Sequence, residues 1–256
     1  MRKRKAGWHQ DKKEDGKMMR LDRFLCEMQI GTRSQVKVYI RQGLVFVNDV
    51  LVKDPDTKIH EFSDKVTFRR QVLQYSRFVY YMLNKPVGVV SATADNKAPT
   101  VVSLLGGDWR DDVFPVGRLD KDVTGLVLLT NDGELAHRLL SPKNHVDKVY
   151  QVETASCLSA EDIRILEQGV DIGDERLTLP ARVELLGERS MLLTIHEGRF
   201  HQVKRMLHAV GNEVVSLRRV CFGGVSLDGE LGPGEYRRLR PEEVERLRGQ
   251  KEEAPM

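Results

Sequence analysis

The chain has 256 residues, 40% of them hydrophobic and 31% charged, with a formal net charge of +3, which suits one large core plus a small appended domain. No apolar run approaches the roughly 20 residues of a membrane span, and the basic opening MRKRKAGWHQ lacks the apolar stretch of an export signal. Cys26, Cys157 and Cys221 are odd in number and scattered, which excludes a disulfide framework and a clustered cysteine metal site, so a cytoplasmic protein with buried thiols is expected. The charge is unevenly placed: residues 1–70 hold 17 Lys/Arg against 10 Asp/Glu, and the remainder is net acidic. The front of the chain therefore reads as an electrostatic handle for a polyanion.

Residues 1–18 alternate charges with Gly, His and Gln and are expected to form a mobile basic tail. From Met19 onward Leu21, Phe24, Leu25 and Met28 recur at helical spacing, with Gly31 placed to end the helix. Thr32 and Gln35 fit a capping box that opens a second helix to Gln42, whose apolar face of Val36, Tyr39 and Ile40 is separated from Arg33, Lys37 and Arg41. Gly43 ends that helix. Residues 44–47 and 50–52, joined by Asn48-Asp49, predict a small hairpin, and 65–68 a further strand. Two short helices, a β loop and a basic helix face resemble the S4 RNA-binding domain over residues 19–68. That resemblance implies RNA-phosphate contacts for Arg20, Arg23, Arg33, Ser34, Lys37 and Arg41; the ordinary alternative is a solvated basic face, because single surface cations contribute little.

Residues 69–77 are polar without a helical stripe and are expected to be a linker, with a second domain spanning 78–250. Its pattern predicts strands at 79–83, 89–91, 123–129, 148–153, 181–185 and 191–195, and a loop at Asn84-Lys85-Pro86. Helices are predicted at 134–140, from the Ser159 cap to Gln168, at 200–210 up to Gly211, and after Pro241. Strands and helices intermix without βαβ alternation, so the expected class is α+β, a mixed, mainly antiparallel sheet with flanking helices.

Three separated segments carry candidate chemistry. In VGRLDKDVTGLVLLT, residues 116–130, Gly117 permits a turn where a side chain would clash, Arg118 supplies a cation, and Asp120 is a carboxylate in a tight basic loop before an apolar strand. A single Asp is more often a turn cap or the partner of a surface Arg. DKVY places Lys148 and Tyr150 on one face of a strand, where a tyrosine by itself is ordinarily half-buried core. EGRFHQVKRM gathers Arg199, His201, Val203, Lys204 and Arg205 around a helix start; His201 and His208 have no acidic or Cys partner at ligand spacing, so no metal site is expected.

Combined with MLNKPVGVVS at 82–91 and the S4-like front, these motifs resemble, from about residue 19 to 240, the bacterial pseudouridine synthases of the RsuA family. SPKNHVDKVY, EGRFHQVKRM, AVGNEVV and LGPGEYR bring the chain nearest to that family's small-subunit ribosomal RNA branch. The resemblance implies the pseudouridine synthase fold and a reaction in which one uracil is detached from ribose C1′, turned and rejoined through C5, with no cofactor. It makes Asp120 the essential aspartate, attacking sugar or base or removing a ribose proton, and it gives Tyr150 a stacking and proton-transfer role. Lys204 would pair with Asp120, Val203 pack under the base, and Arg118, Leu119, Arg199 and Arg205 border the pocket, Arg118 holding the loop or a phosphate and Arg199 and Arg205 serving equally as phosphate contacts or solvated helix-end cations. Asp122 is read as a turn residue, and residues 84–86 as support for the loop.

The implied partner is ribosomal RNA within a small-subunit assembly intermediate, bound by a monomer that extrudes the target uridine into a basic cleft. A large-subunit RNA target would leave every catalytic residue unchanged. A non-catalytic RNA-binding assembly factor is argued against by the intact Asp120, Tyr150 and Lys204, a methyltransferase by the lack of a Gly-rich cofactor loop, and a glycosidase by its need for two flanking carboxylates.

Overall fold

The computed structural model describes residues 18–28, 30–73, 75–106, 110 and 112–249, so the expected basic tail, Met18 apart, lies outside the described residues. The chain divides into two compact units, Met1–Arg77 and Phe78–Met256.

In the first unit, β1 (Met18–Arg20) runs into α1 (Leu21–Glu27), followed by α2 (Arg33–Arg41) and the short strands β2 (Val45–Val47), β3 (Val50–Leu51), β4 (Lys58–His60), β5 (Val66–Phe68) and β6 (Gln71–Leu73). β1 pairs antiparallel with β4, and the other four form an antiparallel sheet in the order β3-β2-β5-β6. The Thr32–Gln35 capping box is formed in both directions, which satisfies two of the amide donors left free at the start of α2. Asn48 and Asp49 both adopt positive φ, 50° and 65°, the twist a two-residue hairpin turn needs. The apolar spacing read from the sequence becomes the core: Leu21, Phe24 and Leu25 of α1 close on Val36 and Ile40 of α2 and on Val45, Ile59 and Val66. α1 stops at Glu27, ahead of Gly31.

Within residues 69–77, read from sequence as a linker, the structure has a strand and a packed tyrosine. Gln71–Leu73 pairs with β5, and Tyr75 stacks on Phe24 with ring centroids 5.3 Å apart while its hydroxyl donates to Glu27 at 2.7 Å. The β-forming Val72-Leu73 pair and one aromatic anchor outweigh the polar neighbours.

The second unit contains β7 (Tyr80–Lys85), β8 (Phe114–Val116), β9 (Thr124–Thr130), α3 (Gly133–Leu140), β10 (Lys148–Thr154), α4 (Ala160–Gln168), β11 (Arg182–Gly187), β12 (Ser190–Ile195), α5 (Gln202–Ala209), β13 (Val214–Phe222), β14 (Val225–Ser226), β15 (Tyr236–Arg238) and α6 (Pro241–Arg248). Its sheet runs β11-β12-β10-β13-β9-β7-β15, with β14 on β13 and β8 on β9. Every strand pair is antiparallel except β13 with β9, so the expected α+β class with a mainly antiparallel mixed sheet is the one observed.

β9 is apolar on both faces because both are covered: Val127 and Leu129 face a core with Val152, Leu193, Met206 and Leu207, while Leu126 and Leu128 face a second core with Leu135, Leu139, Phe222 and Leu247. The parallel β9–β13 junction depends on Gly125, which has φ 99° and where a Cβ would lie 2.2 Å from the Arg219 carbonyl oxygen. That close approach sets the Asp120 loop, just before β9, against the strands that carry Tyr150 and Arg219.

Three local expectations differ from the structure. Asn84 and Lys85 lie in β7 rather than in a loop, because both find buried backbone partners there. Residues 89–91 make only the Val90–Thr100 bridge instead of a strand. The helix expected from 200 starts at Gln202, since His201 sits in the left-handed region at φ 49°. No helix among the described residues is long and apolar enough to cross a membrane.

Candidate active site

The Asp120 loop is held from below by a buried lysine. Lys85 is fully buried on β7, and its ammonium donates to the carbonyls of Val123 at 2.7 Å, Pro86 at 3.1 Å and Lys121 at 3.3 Å. Burial pushes its pKa down to about 8, with Asp122 and Asp120 acting in the opposite direction. Ser91 ties the same loop from the other side: its hydroxyl donates to the Leu119 carbonyl and accepts from the Leu119 amide, both at 3.0 Å. Gly117 makes the turn at φ 77°, and a Cβ there would meet Leu140 at 3.0 Å. The sequence thus spends a glycine, a serine and a buried lysine on fixing one carboxylate.

That carboxylate opens onto a cleft of about 710 Å³, a volume suited to a small ligand or a single extruded nucleotide. Asp120, Tyr150, Lys204, Arg118, Leu119, Val203 and Arg199 all line it, so residues far apart in sequence converge as expected. Tyr150 and Val203 are buried in its wall, and Arg118 is exposed at its edge. Arg205 is not part of the lining. Its guanidinium is bound to Asp174 at 2.5 Å, to the Phe200 carbonyl at 3.1 Å and to the Ile172 carbonyl. Arg199 is similarly occupied, donating to Glu197 at 3.0 Å and to the carbonyls of Arg176 and Leu177 at 2.7 Å. Both arginines secure the loop around Asp174 rather than standing free for phosphate.

The electrostatics around Asp120 differ from the simple pair expected. Lys204 Nζ lies 3.6 Å from Asp120 Oδ2, but it bonds both oxygens of Asp122 at 2.8 and 2.7 Å. Asp122, read from sequence as a turn residue, is the closer partner of the lysine, and that bond holds its carboxyl below the usual carboxylate range. His201 Nε2 approaches Asp120 Oδ2 at 3.5 Å, placed by its left-handed backbone, and the neighbouring Phe200 stacks on its ring at 3.8 Å while remaining 75% exposed. Asp120 therefore faces one lysine and one imidazole in a cleft also lined by Tyr150, Val203 and Leu217. Such a carboxylate can attack an electrophilic carbon or accept a proton, and the aromatic surfaces can stack on a base. Among the described residues no group of three or more His, Cys, Asp or Glu side chains is placed to hold a metal ion.

Two wall residues lie outside the expected catalytic set: Arg219, and Lys148, noted from sequence only as Tyr150's neighbour on one strand face. Both are buried and line the cleft. On the first unit, Arg33 and Arg41 are exposed and Lys37 half-buried along α2, and among the described residues none of the three makes an ion pair. Ser34 is exposed beside them. Arg20 pairs with Asp22 at 2.8 Å and with Asp56, and Arg23 with Glu27 at 2.7 Å, so these two cations are already engaged.

Comparison with known proteins agrees with this geometry. The model of a family described as RNA pseudouridylate synthase matches residues 79–209, and that of the S4 domain matches residues 19–66. A Bacillus subtilis protein named "Uncharacterized RNA pseudouridine synthase YtzG" is 48% identical over 90% of this chain and 98% of its own length. The "Ribosomal small subunit pseudouridine synthase A" of Vibrio cholerae is 41% identical, and that of Escherichia coli strain K12 40%, each over 88% of this chain and 98% of its own. A solved structure described as "Crystal structure of pseudouridylate synthase" superposes with a TM-score of 0.64 at 40% identity, covering 90% of this chain and 99% of that one.

Proposed function

The chain belongs to the RNA pseudouridylate synthase family, isomerases that convert uridine to pseudouridine in RNA, and we propose that it acts on one uridine of small-subunit ribosomal RNA with Asp120 as its catalytic carboxylate. The observation that carries the catalytic reading is the convergence of Asp120, Tyr150 and Lys204 on one cleft. The subunit assignment draws support from relatives named for the small ribosomal subunit at 40–41% identity over nearly their whole length.

The target base leaves its helical stack and enters the cleft, because its C1′ and C5 cannot be reached inside folded RNA. Tyr150 and Val203 sandwich it, and exposed Phe200 offers a stacking surface at the mouth for a neighbouring base. Asp120 accepts the electron-deficient sugar or one of its protons, while Lys204 stabilises the carboxylate from 3.6 Å. No cofactor enters the scheme, since the bond broken and the bond formed balance within one nucleotide. The S4 unit supplies backbone contacts through Arg33, Lys37 and Arg41, which position the RNA without reading its sequence. A monomer acting on a small-subunit assembly intermediate completes the reading. Pseudouridine mapping in both ribosomal RNAs from cells lacking the gene tests it: loss of a single small-subunit site is expected, and loss only from the large subunit would overturn the assignment.

A further inference from the structure

Among the described residues, two buried cations on the cleft wall make no ion pair with a carboxylate. Lys148 is 8% exposed and Arg219 only 2%, and both line the cleft. The Lys148 ammonium donates to the Val146 carbonyl at 2.9 Å, and Arg219 Nε to the Leu126 carbonyl at 2.8 Å. Arg219 Nη2 is buried with no hydrogen-bond partner among the described residues. Both cations lie against the Phe222 ring, 5.4 and 4.9 Å from its centre. The carboxylates acting on Lys148 at longer range, Asp147 and Glu197, are committed elsewhere, to His196 at 2.8 Å and Arg199 at 3.0 Å.

Burying unpaired like charges side by side opposes folding, and apolar residues of similar size would serve the fold better. A preorganised pair of this kind suits an anion that arises at the site. Its location identifies which. Arg219 is directly opposite Tyr150 in the β10–β13 ladder, and Lys148 precedes Tyr150 by two residues on the same strand face. Both cations therefore flank the tyrosine assigned to the base rather than the rim that the RNA backbone crosses.

We propose that Lys148 and Arg219 bind the uracil anion that exists between detachment and reattachment of the base; this rests on the pseudouridine synthase reading above. When the C1′–N1 bond breaks, its electron pair stays on uracil, spread over N1, O2 and O4, and C1′ is captured by a carboxylate or loses a C2′ proton. Fixed cations hold the negative oxygens while the ring turns. C5 then bonds to C1′ as the carboxylate departs or the proton returns to C2′; the C5 proton leaves, N1 takes one up, and no atom or electron is gained or lost overall.

The test uses the full-length protein and a small-subunit ribosomal RNA transcript labelled with tritium at uridine C5. Single-turnover tritium release and RNA affinity are measured for the wild type, Lys148→Met, Lys148→Arg and Arg219→Met. Each methionine variant is expected to release tritium roughly 100-fold more slowly, with RNA affinity unchanged within about threefold and a melting temperature no lower than wild type. Lys148→Arg is expected to recover most of the rate. An unchanged rate, a loss confined to affinity as for a phosphate contact, or methionine variants that melt lower or fail to fold would each overturn the proposal. A wild type that releases no tritium would instead count against the underlying reading.

Discussion

Asp122→Asn separates the two aspartates that share Lys204. The lysine ammonium sits 2.8 and 2.7 Å from the Asp122 oxygens and 3.6 Å from Asp120 Oδ2. At that longer distance a Coulomb attraction is roughly 4–5 kcal/mol for an effective dielectric of about 20. Asp122 is 66% exposed, so solvent screening limits what its pair with Lys204 contributes to about 1 kcal/mol or less. An asparagine still accepts a hydrogen bond from Lys204, and a lysine released from it has Asp120 as its other carboxylate neighbour. The predicted loss is therefore at most about 1 kcal/mol of transition-state stabilisation, a factor of roughly five in rate. Asp120→Asn, which replaces the proposed catalytic carboxylate by a neutral amide, should lower the rate by about 1,000-fold or more. Single-turnover tritium release from C5-labelled RNA measures both. An Asp122→Asn loss as deep as that of Asp120→Asn would refute the reasoning and make Asp122 a full partner in the chemistry.

Replacing Arg33, Lys37 and Arg41 together by glutamine should weaken RNA binding and reduce the slope of log affinity against log salt by roughly 2, since each lost phosphate contact removes about 0.7–0.9; an unchanged slope in filter-binding titrations would remove the α2 face from the RNA interface. Gly125→Ala should destabilise the second unit by roughly 3 kcal/mol or more, because a Cβ would lie 2.2 Å from the Arg219 carbonyl at a φ of 99°; a wild-type urea midpoint would contradict the close β9–β13 approach. Burial, with Arg219 adding to it, pushes the Lys148 pKa down to about 8 from its usual 10.5. Between those values the unfolded chain binds a proton that the folded chain has released, so wild-type stability gains from this group as pH rises across that window, and below it the full penalty of the buried charge remains. Lys148→Met lacks this penalty, so its stability advantage should shrink between about pH 7.5 and about pH 10 in paired urea melts; an equal advantage at both would show that Lys148 is not held in this way.

Much of the fold was legible because local chemistry and tertiary packing agreed. The Thr32–Gln35 and Ser159 caps, the Asn48-Asp49 turn and the doubly apolar β9 each announce their structure in a few residues. The strand at Gln71–Leu73 was not, because its partner β5 supplies what its own polar sequence lacks. The site divides along the same line. Asp120, Tyr150 and Lys204 fall in motifs, so their convergence could be anticipated, whereas the roles of Asp122 and of the Lys148–Arg219 pair depend on distances between distant segments. Arg199 and Arg205, left by the sequence between phosphate contacts and solvated cations, show the same dependence on distant segments. Basic residues in a motif look like phosphate ligands until the Asp174 loop is seen to occupy them.

The central claim is that this chain makes one pseudouridine in small-subunit ribosomal RNA through Asp120. It is tested most directly by mapping pseudouridine in that RNA from cells lacking the gene and complemented with either the wild type or Asp120→Asn. The wild type should restore one modified position that Asp120→Asn leaves as uridine. Restoration by Asp120→Asn, or no difference at any small-subunit position, would contradict the claim.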